Sequence, residues 1–210
     1  MKHNHIFAAL AGSIAVCTAL TGCASAAPDV NAEQTAAAAA TITLNGGSAS
    51  VQGKGAAVQG TVITISDAGT YRITGTLDDG QIVIDAGKDD AVTLVLDNAN
   101  ISCSNSAGIY AKQAGTTTLL LQDGTQNSVS DAAQYAYPDG GDEPDAAIFA
   151  KDDLTIAGSG TLTVTGSFNN AIGSKDNLLI ESGTLIVTAA NDGLRNGQDE
   201  ILDAVKRPLR

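Results

Sequence analysis

Ala147-Ile148-Phe149-Ala150-Lys151-Asp152-Asp153-Leu154-Thr155-Ile156 is answered further along the chain by Ala171-Ile172-Gly173-Ser174-Lys175-Asp176-Asn177-Leu178-Leu179-Ile180. Each copy runs into a Gly-Thr segment, first Gly160-Thr161-Leu162-Thr163-Val164-Thr165, then Gly183-Thr184-Leu185-Ile186-Val187-Thr188. The offset is 24 residues in the first half and 23 in the second, and a one-residue slip at a turn between Ala157 and Gly160 accounts for the difference. An earlier opening stands at Ala107-Gly108-Ile109-Tyr110-Ala111-Lys112 and a later one at Asp192-Gly193-Leu194-Arg195. Self-similarity at a period of roughly 20 to 50 residues marks stacked units, none of which buries its apolar face alone.

Inside each copy the apolar residues alternate at period two. Residues 153–156, 161–165, 178–181 and 184–188 are short, rich in Thr, Val, Leu and Ile, and separated by Gly, Asn, Asp and Ser. That is strand chemistry. After residue 40 no window of a dozen residues carries a helical stripe. The pattern predicts an all-β chain folded as a parallel β-helix, with rungs of about 22–24 residues. A sandwich or meander also has short strands at regular spacing, but the internal repeat favours the solenoid.

Working outward, residues 61–66, 69–75, 81–85 and 91–97 read as earlier strands, with turns at 78–80 and 87–90. Asn98, Asn100, Asn105, Asn169, Asn170 and Asn191 fall where strands are expected to end. Asn tolerates left-handed backbone, and its amide can bridge adjacent rungs. The repeat domain is expected over 41–197. Its interior would be aliphatic, since aromatics are 3% of the chain and Trp is absent. That scarcity argues against a flat aromatic platform of the kind a cellulose binder uses.

The N-terminus reads as an address. Lys2 precedes an apolar run from Ile6 to Leu20, and Leu20-Thr21-Gly22-Cys23 closes it. Residues 1–22 are expected to be a lipoprotein signal, Cys23 the lipidated residue, and 23–40 an Ala-rich linker lifting the domain off a membrane. The protein would then sit on the outer face of the cell membrane; an ordinary secretory signal would release it. The apolar run is shorter than the ~20 residues of a membrane span. His3 and His5 lie in the signal and are the only two histidines. No histidine-based nucleophile system or zinc site is therefore available beyond it. Cys103 is left without a disulfide partner after Cys17 and Cys23, and is expected to be a small buried residue.

Charge points to the partners. The net charge is −12, which sets nucleic acid aside, since it requires the opposite field. Acids gather at turns, most densely at Asp139-Gly140-Gly141-Asp142-Glu143-Pro144-Asp145, inside an insertion at 132–145 relative to the next repeat. Hard oxygen ligands on Gly-punctuated loops suit calcium, so Asp139, Asp142, Glu143 and Asp145 are candidate metal ligands; a solvated acidic loop is the plainer alternative. Lys112, Lys151 and Lys175 occupy one repeat position. Rungs stacked ~4.8 Å apart would line them up as a ladder. With Arg195 they are candidate contacts for an acidic polysaccharide. Pairing of each Lys with a nearby acid such as Asp152, Asp153 or Asp176 is the alternative.

The run from Asp142 through Ile156, followed by Asn191-Asp192-Gly193-Leu194-Arg195, resembles the carbohydrate-binding-domain family of clostridial and other Gram-positive surface proteins. Tyr71-Arg72-Ile73-Thr74-Gly75-Thr76-Leu77 and Val92-Thr93-Leu94-Val95-Leu96-Asp97-Asn98 are similar to the same family's first rungs. The resemblance implies a right-handed, calcium-containing, pectate-lyase-like parallel β-helix. It further implies binding of plant cell-wall polysaccharide, pectic or cellulosic, without a demonstrated catalytic role. The tail at 198–210 departs from the repeat, and a shortened copy of the family pattern is expected there, with a short helix at 199–205 as an improvised cap.

Two other functions fit the fold. A polysaccharide lyase acting on acidic pectic substrate needs a base beside the uronate carboxyl. Arg195 near Asp192 is the only combination suggesting one, and an arginine is a poor base at its ordinary pKa. A structural or adhesive surface protein without a sugar ligand is the third class.

Overall fold

The computed structural model describes residues 38–137, 140–197 and 201–203. The signal, Cys23, most of the linker and Asp139 lie outside them. Every described element is a strand, and no helix occurs among the described residues. The chain opens with β1 (Ala40–Gly46), β2 (Ala49–Gly53), β3 (Ala56–Gln59) and β4 (Val62–Ile65). Then come β5 (Gly69–Leu77), β6 (Gln81–Asp85), β7 (Ala91–Ser102), β8 (Ile109–Gln113), β9 (Thr116–Leu121) and β10 (Gln126–Ser130). The repeated stretch supplies β11 (Ala146–Ala150), β12 (Asp153–Gly158), β13 (Thr161–Gly166), β14 (Asn170–Ser174), β15 (Leu178–Ile180) and β16 (Thr184–Ala189). β17 (Leu194–Asn196) and β18 (Ile201–Asp203) follow. The helix expected over 199–205 is not formed at Ile201–Asp203, which instead pairs in parallel with β15.

Two open sheets hold these strands. The smaller, of 7 strands, runs β17-β14-β11-β8-β6-β4-β3. The larger, of 11, follows the path β16-β13-β10-β7-β9-β12-β15-β18, with β5, β1 and β2 beyond β7. From β8 on, the chain visits the small sheet once and the large sheet twice before returning. Pairing is parallel except in two hairpins, β1–β2 and β3–β4, so the sheets are mixed rather than purely parallel. Both hairpins stand at the N-terminal end, where an added antiparallel strand covers an edge that would otherwise offer unpaired backbone groups.

β7 is longer than its sequence suggested. It was expected to stop at Asp97, with Asn98 and Asn100 outside it, yet it continues to Ser102 and pairs with both β9 and β10. Asn98 bends the strand at φ 54° instead of ending it. The same bend, between the two large-sheet segments of a rung, falls at Gly75, Gly124, Gly158 and Gly183, all with positive φ. A left-handed residue at each corner turns the chain without losing the ladder.

Between the sheets lies an aliphatic core built in columns. Ile63, Ile82, Ile109, Ile148 and Ile172 stand in register along the small sheet. Leu94, Leu119, Ile156 and Ile180 do so along the large one. All are buried, each side chain contributing about 1.5–3 kcal/mol. Cys103 is buried as well, and burial raises its thiol pKa.

One buried amide ties rungs together. Asn127 Oδ1 accepts from the Ala99 N–H at 2.9 Å, while its Nδ2 donates to the Thr161 carbonyl at 3.2 Å and to Thr125 Oγ1 at 3.0 Å. Asn127→Ala strands a buried donor and acceptor on different rungs. It is expected to lower stability by about 1–3 kcal/mol, read as a shift in urea midpoint without change of slope.

Candidate functional site

The outer face of the small sheet carries the chemistry. Val83, Tyr110, Phe149, Gly173 and Arg195 stand in one cross-strand row. Side chains repeat on one face every second residue, which places Lys112, Lys151 and Lys175 in the neighbouring row. The backbone confirms that the stacking continues there: Lys151 N–H donates to the Ala111 carbonyl at 2.9 Å and Lys175 N–H to that of Ala150 at 3.0 Å. Tyr110 and Phe149 meet in a tilted ring pair, centroids 6.0 Å apart. Gly173 makes room beside them, since a Cβ there would lie 3.2 Å from the Phe149 ring.

The insertion between β10 and β11 folds over this face as a strap. Its first half is fixed by Asp131, whose carboxylate accepts from the Tyr135 hydroxyl at 2.6 Å and from the Ser167 N–H. The Tyr135 ring stacks on Phe168 with centroids 4.3 Å apart. Burial, then the bond to Asp131, drives the Tyr135 phenol far above its ordinary pKa. Ala136 N–H donates to the Asn105 carbonyl, and the Tyr137 hydroxyl closes the strap on the Pro144 carbonyl at 2.7 Å. Under this cover β11 is buried on both faces, which is why its sequence lacks polar alternation.

The strap's second half brings its acids onto the basic residues. Glu143 pairs with Lys151 at 3.2 Å and also with Lys175. Arg195 Nη1 donates to Asp145 Oδ2 at 2.6 Å. Two of the acids and three of the bases singled out separately in the sequence therefore meet here. Lys112 stands apart on Asp85 at 2.9 Å. The lysines are paired, but not with Asp152, Asp153 or Asp176; Arg195 is held by Asp145 rather than working beside Asp192.

The two strap carboxylates respond oppositely to this setting. Burial disfavours charge on Glu143, yet hydrogen bonds from Lys175 and Lys151 outweigh it and hold the carboxyl below its ordinary pKa. For Asp145 burial wins over Arg195, and its pKa is raised. Asp145 Oδ1 is buried without a hydrogen-bond partner. An orphaned carboxylate oxygen is the kind of donor a hard cation takes, and Asp142, Glu143 and Asp145 border one cleft. Among the described residues, however, no three His, Cys, Asp or Glu side chains are arranged to hold a metal ion.

Two clefts flank the strap. One of about 590 Å³ is lined by Glu143, Asp145, Phe149, Lys151, Lys175 and Arg195. The other, of about 690 Å³, is lined by Tyr110, Lys112, Tyr137, Glu143 and Lys151. Half-buried Tyr110 and Tyr137 beside cations can hold a sugar ring by its apolar side and an acid group by its charge, whereas Phe149 is buried. The rings are few in the composition, and their placement beside the cations is not visible from their number. Tyr110 and Phe149 precede Lys112 and Lys151 by two residues each, and that shared offset was the available signal.

The fold and this face define an all-β repeat protein with a cleft on one sheet where acids and bases meet. The chain belongs to the carbohydrate-binding domain-containing protein family, whose model matches residues 59–204. A carbohydrate-binding domain-containing protein of Acetivibrio thermocellus is 38% identical over 183 residues, or 86% of this chain; the chain spans 64% of that relative's length. Among solved structures, the polysaccharide lyase-like protein from C. thermocellum, a gadolinium derivative, is 33% identical with a TM-score of 0.71. The match covers 77% of this chain and 75% of that one.

Proposed function

We propose that this chain is an extracytoplasmic polysaccharide-binding module, built as a right-handed parallel β-helix and tethered through a lipid on Cys23. The observation that carries the binding reading is the row of Lys112, Lys151 and Lys175 on one sheet face, beside the row that holds Tyr110 and Arg195. Membership of a carbohydrate-binding family supports it. An acidic, pectic chain suits that row better than a neutral cellulosic one, because its carboxylates can meet the cations at rung spacing. The recurrent order of small sheet, large sheet, large sheet supports the β-helix reading. Calcium belongs to the proposal through Asp139, Asp142, Glu143 and Asp145. The orphaned Asp145 Oδ1 supports it.

The lyase alternative is weaker on this geometry. Hydrogen bonding to Glu143 raises the pKa of Lys151, and Arg195 is paired with Asp145; a base must be free to take a proton.

The test is retention of the full chain on insoluble pectic and cellulosic polysaccharide, with and without millimolar calcium, while the supernatant is assayed for unsaturated uronides. Retention on the pectic matrix without uronide release is expected, with a higher thermal midpoint in calcium than in EDTA. Uronide release would make the protein a lyase. Failure to be retained on either matrix would leave the structural or adhesive class.

A further inference from the structure

The basic row already holds a carboxylate. Glu143 does not belong to the sheet; it is delivered by the strap and placed against the ammonium groups of Lys151 and Lys175. Its side chain is 19% exposed, while those lysines are 38% and 53% exposed. The acid is thus the covered partner and the cations face the cleft. One carboxylate against two ammonium groups is the contact a uronate residue would make in the same place.

We propose that Glu143 is a built-in occupant of an anion site formed by Lys151 and Lys175, and that a carboxylate-bearing glycan binds by displacing it. The inference rests on the polysaccharide-binding reading above and adds what decides its selectivity. A single incoming carboxylate only exchanges one such contact for another, against a competitor held in place by its own chain. A polymer that also brings carboxylates to Lys112 and Arg195 makes more contacts than Glu143 gives up, because those side chains are 52% and 54% exposed and keep N–H groups beyond the ones given to Asp85 and Asp145. The strap therefore sets a threshold of ligand charge: polyuronide chains pass it and single uronic acids do not.

The experiment compares the full-length wild type with Glu143→Gln in two measurements. In the first, without glycan, limiting acetylation followed by mass spectrometry reads the reactivity of each lysine, with Lys54 as reference. Lys151 and Lys175 are expected to react several-fold faster in the variant, while Lys112, paired with Asp85, is unchanged. In the second, titration with polygalacturonate is expected to show about fivefold tighter binding by the variant, the equivalent of one released surface ion pair. Unchanged lysine reactivity would overturn the proposal whatever the binding. Released lysines with equal or weaker binding would overturn displacement while leaving the glycan reading in place. Binding by neither protein would end both the glycan reading and the displacement step. A thermal midpoint within a few degrees of wild type shows that the variant is folded; if Glu143→Gln fails this check, Glu143→Ala takes its place.

Discussion

Gly158→Ala is expected to destabilise the protein by about 3 kcal/mol or more, a fall of roughly 6–12 °C in thermal midpoint. Two independent reasons converge on this residue. Its φ is 98°, which an L side chain adopts only under strain, and a Cβ there would lie 2.2 Å from the Leu121 carbonyl oxygen and 2.8 Å from the Leu121 nitrogen. Those atoms belong to the adjoining rung, with Gly158 and Leu121 in direct register. Backbone inside a ladder cannot step aside, so relief requires prising two rungs apart. Gly124 is the control: its φ is also positive, at 69°, but nothing lies within 4 Å of its would-be Cβ. Gly124→Ala carries the conformational penalty without the collision, and should cost about 1 kcal/mol. Equal effects of the two substitutions would show that the contact with Leu121 is not what restrains Gly158.

The second large effect is on binding. Replacing Lys151 and Lys175 together by Ala is expected to weaken retention on polygalacturonate about sixfold: two charge contacts of roughly 1 kcal/mol each are lost, and the roughly fivefold cost of displacing Glu143 disappears with them. Retention on cellulose should be unaffected. The double variant should also lose some stability, because Glu143 keeps its partial burial and loses both cations. Adding Glu143→Gln to the double variant separates the effects: stability should recover and affinity should not. Undiminished polygalacturonate binding by the folded triple variant would move the glycan off this face.

The sequence showed what is local and hid what is distant. β12, β13, β15 and β16 were legible because alternation and glycine placement occur within a few residues of each other; β11 and β14, buried on both faces, carry no alternation to read. The end of β7 was misjudged because Asn98 can occupy a left-handed corner while the strand continues, and a residue list does not distinguish a bend from a stop. At the site, the lysine positions followed from the repeat. Their partners did not, since Glu143 and Lys175 are separated by a full rung and Asp145 lies 50 residues from Arg195. The strap departs from the repeat, so the pattern that locates the sheet residues contains no instruction for where its acids land. The aromatic residues were discounted for the same reason: composition counts them, whereas Tyr110 meets Phe149 only once β8 and β11 are side by side.

The left-handed corners also act as a phase-keeping device. A strand is read in steps of two, so one residue gained or lost within it would turn every later side chain of that strand from core to solvent. At a corner the count restarts. The offsets of 24 and 23 residues between the repeats differ at such a place, between Ala157 and Gly160, and Leu162 and Val164 nonetheless stack on Leu185 and Val187 in unbroken register. Length can therefore drift between rungs while the two faces stay in frame. The strap shows the same freedom at larger scale: a long detour leaves one rung and returns to the next with Ile148 still standing on Ile109. In such a chain new surface chemistry can be spliced in at the joints without being written into the core.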